Sequence, residues 1–143
     1  MVMEQRRPDC IEFHDAEVEN IELRPNGAVT VTFSHLAVYF REVAARYGVW
    51  SMRATLECSG TRRLEFIGGA SHCGDSADVL YEGKVTDTVT QAAIDATCLL
   101  DGAVNATLCL VWSTSGGRLD LQARSLRLEL GVGKRFETYV GDL

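Results

Sequence analysis

The chain has 143 residues, 46% of them hydrophobic and 24% charged, and a formal net charge of −6 at pH 7. This length and composition are typical of one folded domain over residues 1–143 and argue against an intrinsically disordered chain. The acidic balance argues against nucleic-acid binding, because binding phosphates requires clustered lysine and arginine.

The cysteines and the hydropathy pattern bear on the cellular compartment. The five cysteines are odd in number and irregularly spaced: Cys10, Cys58, Cys73, Cys98 and Cys109. Such spacing favours reduced thiols over a disulfide framework or a zinc site. No uncharged apolar run reaches the roughly 18 residues of a membrane helix, and no signal-peptide pattern opens the chain. We therefore expect a cytoplasmic protein that does not insert into a membrane.

The first structured unit is a β-hairpin. Residues 1–10 show no period and predict a loose arm, after which alternating apolar residues predict a strand over Ile11–Leu23. Asn26-Gly27 predicts the turn, because both residues tolerate positive φ. In the next strand the apolar alternation changes phase at Ser34-His35, which predicts a β-bulge.

The middle of the chain predicts one short helix and a second hairpin. Residues Phe40–Tyr47 contain helix formers and predict one or two helical turns at most. A clean alternation from Val49 predicts a strand, which Ser59-Gly60 turns into a further strand over Arg62–Ile67. The glycine-rich segment 68–78 predicts an exposed loop.

The segment after this loop contains one strand and one ambiguous stretch. Residues Val79–Thr86 predict a strand, whereas Thr90–Leu100 fit both a helical stripe and a strand alternation. We favour a strand for the second stretch, because Asp101-Gly102 and the residues after it repeat the turn-then-strand pattern that follows Asn26-Gly27.

The last third of the chain predicts a third hairpin and a tail. Residues Val104–Trp112 alternate as a strand, Ser115–Gly117 turns the chain, and a long strand begins at Leu119. Its apolar positions change phase at Arg124-Ser125, which predicts a second bulge. Residues 131–143 predict a C-terminal tail.

Together these elements predict an all-β fold with at most one or two short helices. About eight strands, joined by short glycine-containing turns, are typical of an antiparallel β-sandwich or a partly closed, strongly bent β-barrel. The two phase changes favour bent sheets. Exposed strand edges also make a homodimer an expected oligomeric state.

Side chains suited to catalysis or metal binding are few and scattered. One local cluster, His72, Cys73 and Asp75, lies in the glycine-rich loop, where an imidazole could activate a thiol. A polar surface loop is the simpler interpretation, because neighbours in sequence usually point apart. The other histidines, His14 and His35, are far away in sequence, so no metal site is predicted. Phosphate- and dinucleotide-binding motifs are absent, so no cofactor is expected.

An acidic cluster marks the first strand. It contains five carboxylates in eleven residues: Glu12, Asp15, Glu17, Glu19 and Glu22. Such a cluster could attract a basic protein partner by long-range electrostatics. The alternative is a solvated edge whose charges prevent aggregation of sheet edges.

The apolar side chains of the predicted strands allow a third kind of site. A bent sheet could enclose a small-molecule cavity lined by Phe33, Trp50, Met52, Leu108 and Trp112. The same residues would also serve as a packed core, which is the simpler interpretation.

Three segments in the first half of the chain carry a resemblance to a known group of proteins. They are FHDAEVENIEL (residues 13–23), VTVTFSHLAVY (residues 29–39) and VWSMRATLECSGTRRLEF (residues 49–66). They resemble small β-rich bacterial domains, some of which are labelled immunity proteins of polymorphic toxin systems. The resemblance implies a cytoplasmic protein that binds and blocks a toxin. The leading prediction is thus a non-catalytic interaction module, with a small-ligand carrier and an enzyme using the loop cysteine as alternatives.

Overall fold

The protein forms one antiparallel β-sheet. The computed structural model describes residues 6–68 and 78–143. Its strands are β1 (Cys10–Leu23), β2 (Val29–Val43), β3 (Arg46–Ile67), β4 (Leu80–Asp87), β5 (Ala103–Trp112) and β6 (Arg118–Val140), and a 3₁₀ helix covers Ala96–Leu100. The order in the sheet is β1-β2-β3-β6-β5-β4. The sheet curls strongly into a half-barrel, which brings the edge strands β1 and β4 toward each other.

The all-β class and the antiparallel pairing predicted from the sequence are confirmed. The sheet has six strands in the described residues, not about eight, and it is a single curled sheet instead of a sandwich. Only 4% of the residues that the structure describes are helical. None of the described residues belongs to a helix that is long and apolar enough to cross a membrane.

The concave side of the half-barrel holds the hydrophobic core. Its largest fully buried side chains include Phe33 of β2, Leu56 of β3, Leu108 and Trp112 of β5, and Leu121 of β6. Burying a side chain of this size stabilises the fold by about 1.5–3 kcal/mol. Because β2, β3, β5 and β6 all contribute, the core joins both halves of the chain.

The first hairpin is confirmed in detail. Gly27 has a φ of +83°, which the turn requires. The Arg24 N–H donates to the Ala28 carbonyl at 2.9 Å, and the Asn26 side chain accepts from the Ala28 N–H at 3.0 Å. The bulge predicted at Ser34-His35 is also present, because the pairing of β2 with β3 shifts there.

The helix predicted over Phe40–Tyr47 is wrong. Strand β2 continues to Val43, and the chain turns at Ala44-Ala45 into β3, with a φ of +57° at Ala45. Two helical turns are unstable alone. Here Arg41 instead pairs with Tyr47 across a tight hairpin, so strand pairing overrides local helix propensity.

The turn predicted at Ser59-Gly60 is also wrong, because β3 runs through it without a break. Gly60 has a φ of +63°, and a Cβ there would lie 2.8 Å from the Cβ of Arg124. The glycine therefore marks a close approach between strands, a common reason for glycine inside a strand.

The second phase change lies beside this glycine. Ala123 and Leu126 are both buried, so the buried positions of β6 change phase at Arg124-Ser125 as predicted. The extra residue of the bulge, however, lies on the partner strand, between Thr61 and Arg63 of β3. Because β3 is unbroken, the two strands predicted before and after Ser59-Gly60 are one strand, and the sheet has one strand fewer than predicted.

The strand favoured for residues 90–100 is wrong as well. This segment makes one isolated bridge, between Thr86 and Ala93, and then forms the 3₁₀ helix. Asp95 caps the helix by accepting the Thr97 N–H at 2.9 Å. Leu99 is fully buried and anchors the segment to the core. The repeat of the first turn-then-strand pattern therefore does not extend to the residues before Asp101-Gly102.

The predicted C-terminal tail mostly belongs to β6. This strand continues to Val140, and its end pairs with the start of β3, where Tyr139 lies opposite Tyr47. The pairing brings Phe136 and Glu137 to the end of the sheet where β1 begins and β2 ends.

Candidate functional site

The five carboxylates of the acidic cluster all lie on β1, an edge strand of the half-barrel. The apolar side chains of the same strand face the core: Ile11, Phe13, Ala16 and Val18. The carboxylates therefore project away from the core, with Glu12 and Glu17 half-buried and the other three exposed.

Two of these carboxylates are already paired within the sheet. Glu19 accepts from the Arg53 guanidinium at 2.8 Å, and Glu22 lies 3.3 Å from Arg24. Exposed pairs of this kind add only about 0–1 kcal/mol to stability, but they balance the charge locally. The acidic cluster is thus less negative at this end of β1 than the sequence implies.

The other end of β1 borders a cavity of about 210 Å³ on the outer face of the sheet. Three carboxylates line it, Glu12 and Asp15 from β1 and Glu137 from β6. Four rings also line it: His14, His35, Tyr39 and Phe136. We call this cavity the outer pocket.

A local irregularity in β1 shapes the rim of the outer pocket. Asp15 has a φ of +66°, and the pairing of β1 with β2 shifts between Glu12 and Glu17. Aspartate tolerates this left-handed conformation better than most residues. As a result, the alternation of buried and exposed side chains is interrupted here, and the neighbouring residues His14 and Asp15 are both exposed.

The pKa of Tyr39 reflects its burial and the negative charges around the outer pocket. The Tyr39 hydroxyl donates to Glu12 Oε2 at 3.4 Å. Burial first, and then the negative charges of Glu12 and nearby acidic groups including Glu137, raise the pKa of Tyr39 to about 12. The phenol therefore stays protonated at neutral pH, and the pocket carries a negative potential.

His14 joins β1 to β4. Its ring Nδ1 donates to the Tyr81 carbonyl at 2.7 Å, and its Nε2 lies 3.6 Å from Asp15. The bond to Tyr81, and to a smaller degree the carboxylates of Asp15 and Glu12, raise the pKa of His14. The histidine thus orders one edge of the outer pocket.

His35 forms another wall of the outer pocket. Its Nδ1 is hydrogen-bonded to the Ser51 hydroxyl, and its ring meets Phe136 edge-on at a centroid distance of 5.6 Å. Glu17 lies opposite His35 in the pairing of β1 with β2, yet it is not among the residues that line the pocket.

The remaining sequence candidates are the histidines considered for a metal site and the loop cluster of His72, Cys73 and Asp75. The described part of the chain has no group of three or more histidine, cysteine or acidic side chains placed to hold a metal ion. His72, Cys73 and Asp75 lie outside the described residues.

The five side chains considered for the carrier alternative belong to the hydrophobic core or pack against it. Phe33, Leu108 and Trp112 are fully buried and Met52 is buried, whereas Trp50 packs against them from the margin of the core. The cavities described for this sheet are lined by other residues. These five side chains act as core.

The sequence interpretation missed three residues of the outer pocket. Tyr39 was read as part of a strand, and Phe136 and Glu137 were assigned to the tail. Only the pairing of β6 with β3 brings residues 136 and 137 beside β1. The sequence offers one signal for this pocket, the adjacent aromatic and acidic residues Phe136 and Glu137 near a sheet edge.

No known protein family, curated protein or solved structure matches the chain. The resemblance of the first half to immunity-type domains therefore remains an expectation. The function proposed below stands on the side chains of this protein.

Proposed function

We propose that the protein is a non-catalytic interaction module that binds a basic protein partner, in the manner of an immunity protein, through the outer pocket. The observation that carries the proposal is the convergence of Glu12, Asp15 and Glu137 on one pocket with aromatic walls. No lysine or arginine of the described residues lines this pocket. The basic side chains that face its three carboxylates are those of His14 and His35, so a lysine or arginine of a partner would add the missing permanent positive charge.

The walls of the outer pocket suit a lysine or arginine side chain. Carboxylates form charge-assisted hydrogen bonds with ammonium and guanidinium groups. The faces of Tyr39 and Phe136 would add a cation–π attraction. The apolar part of a basic side chain would contact Ala37 and Val49, which are buried beneath the carboxylates. A cavity of about 210 Å³ accepts one such side chain.

The rest of the acidic cluster would act at longer range. Glu19 and Glu22 are already paired with arginines, so direct contacts between these two carboxylates and a partner would add little binding energy. Together with Glu17 they still contribute to the net charge of −6. Such a charge speeds the encounter with a basic protein more than it strengthens the final complex. We include a cytoplasmic location in the proposal, in keeping with the free thiols of Cys10, Cys58, Cys98 and Cys109.

The test begins with native mass spectrometry of the protein isolated gently from its own cells, which identifies a co-purifying basic protein. Affinity for that protein is then measured by calorimetry. Replacing Glu12 and Glu137 together by glutamine should weaken binding about 30-fold or more, because an unpaired charge at an interface costs about 2 kcal/mol or more. Unchanged affinity in this variant, with an intact fold, would overturn the proposal.

A matched control neutralises the same number of charges at the other end of β1. Replacing Glu19 and Glu22 by glutamine should change the affinity by no more than about threefold, since exposed paired charges contribute about 0–1 kcal/mol. If this control weakens binding as much as the pocket variant, the partner recognises net charge and not the outer pocket.

A further inference from the structure

A second cavity lies where the half-barrel fails to close. Strands β1 and β4 end the sheet on its two sides, and the sheet order contains no pairing between them. A groove of about 480 Å³ runs between the two strands. This volume is within the range of about 300–1,000 Å³ that is usual for small-molecule sites. We call it the seam groove.

We propose that the seam groove is a binding site for a small amphipathic amine, a molecule with an apolar body and one ammonium group. The proposal does not depend on the partner-binding function. It differs from a carrier with a site in the core, because the groove lies at the seam and Phe13 separates it from the interior.

Phe13 and Gly83 close the inner side of the groove. A Cβ at position 83 would lie 2.5 Å from the Cβ of Phe13, so this approach is open only to glycine. The Phe13 side chain is 5% exposed and belongs to the core. A ligand in the groove therefore meets an apolar floor and has its other side toward solvent.

The free edge of β4 is too short for an added peptide strand. At one end His14 donates to the Tyr81 carbonyl at 2.7 Å. At the other end the Ile94 N–H donates to the Val85 carbonyl at 2.8 Å. Only residues 82–84 remain between these contacts, whereas a typical strand has about five or six residues. A small molecule fits this site better than a strand.

The groove is apolar at one end and acidic at the other. Ile11, Val85, Ile94 and Ala96 line the end near the 3₁₀ helix. His14 and Glu82 line the groove near Tyr81, at the opposite end, and Glu12 lines it between Ile11 and Phe13. Such a division suits a ligand whose apolar body and polar head lie at opposite ends.

The charges of the acidic end select an ammonium head. Lys84 is the only basic side chain, other than histidine, that lines the groove among the described residues, and Glu82 already holds its Nζ at 3.0 Å. The contact recorded for Glu12 is with the neutral hydroxyl of Tyr39. His14 is the basic side chain of the groove that lies near Glu12, and a carboxylate that no lysine or arginine neutralises favours a cationic ligand over an anionic one.

The test uses octylammonium as the probe and octanoate as its matched control, with binding to the full chain followed by two-dimensional NMR. We expect octylammonium to shift the amide signals of Phe13, Gly83 and Ile94, and octanoate at the same concentrations to leave them in place. Equal binding of the two probes, or octylammonium shifts confined to other parts of the sheet, would overturn the proposal.

Two variants test separately the binding of the apolar body and the binding of the ammonium head of the ligand. Ala93→Trp fills the groove from an exposed position and should abolish octylammonium binding. Glu12→Gln removes the counter-charge and should weaken binding about tenfold, the usual effect of losing a charge-assisted hydrogen bond. Full binding by either folded variant would contradict the proposal. Since Ala93 does not line the outer pocket, Ala93→Trp should still bind the basic partner, which distinguishes the two sites.

Discussion

The side chain of Phe13 on β1 packs directly on the backbone of Gly83 on β4, with only 2.5 Å between the Phe13 Cβ and the position that a Cβ on residue 83 would occupy. These residues belong to the two edge strands, which share no ladder of hydrogen bonds in the sheet order. A side-chain contact thus holds the half-barrel in its curled shape at the seam.

This contact predicts a specific cost for Gly83→Ala. The added methyl group must displace Phe13, and overpacking of this kind costs about 1–3 kcal/mol. Urea unfolding measures the loss. In a Phe13→Ala background the cost should fall but not vanish, because the ring is gone while the Cβ of residue 13 still lies 2.5 Å from the new methyl group, and equal costs in both backgrounds would show that the ring does not matter.

A second glycine prediction compares Gly60 with Gly27. Both have positive φ, which costs a non-glycine residue about 1–2 kcal/mol. Gly27 has no atom within 4 Å of its Cβ position, whereas at Gly60 that position lies 2.8 Å from the Arg124 Cβ. Gly60→Ala should therefore reduce the free energy of unfolding more than Gly27→Ala. An equal loss would mean that the strands separate easily at this point.

The cap of the 3₁₀ helix predicts an acid-sensitive contribution to stability. The hydrogen bonds from the Thr97 hydroxyl and N–H lower the pKa of Asp95. A lowered folded-state pKa stabilises the fold above the unfolded value of about 3.9, and this contribution disappears as the pH falls through the folded-state pKa.

Unfolding measured as a function of pH tests this cap. Asp95→Ala should cost about 0.5–2 kcal/mol at neutral pH. Asp95→Asn keeps an acceptor for the Thr97 N–H, so it should retain most of the stability at neutral pH and lose the acid-dependent part. If Asp95→Asn unfolds at low pH as the wild type does, Asp95 is not the group responsible.

The outer pocket predicts the titration of Tyr39, whose pKa is raised to about 12. The phenolate absorbance of this residue should therefore appear above the usual pKa of about 10. Because the folded-state value is raised, the contribution to stability is complete below pH 10 and is lost as the pH rises to about 12.

Glutamine variants identify the source of the Tyr39 shift. Glu12→Gln should lower the pKa of Tyr39, because it removes a nearby negative charge and a charged acceptor. Glu19→Gln should leave it unchanged, since Glu19 is paired with Arg53 and does not act on Tyr39. A titration that Glu12→Gln does not move would place the negative potential elsewhere.

Reversing the charge of Glu17 and Glu19 to lysine predicts a kinetic effect on partner binding. Neither residue lines the outer pocket, so we expect a slower association rate and a nearly unchanged dissociation rate. Stopped-flow measurements at low and high salt test this, because salt screens long-range attraction. A large rise in the dissociation rate would instead indicate direct contact with these two residues.

Local residue chemistry was enough to predict several parts of this protein. The Asn26-Gly27 turn follows from the backbone freedom of two residues, and the bulge at Ser34-His35 follows from a change of phase within one strand. The all-β class follows from alternation over most of the chain. Each of these features depends on neighbours in sequence, which the sequence displays directly.

Long-range pairing decided the rest. Whether Gly60 forms a turn or a close contact depends on Arg124, which is more than sixty residues away in the chain. The outer pocket likewise joins Glu12 to Glu137, and these residues line one pocket only because β6 extends along β3 to the end of the sheet where β1 begins and β2 ends. Strand pairing over such distances is set by the packing of the whole core. The sequence alone therefore determined which residues could carry charge, and the tertiary structure decided which charges share a site.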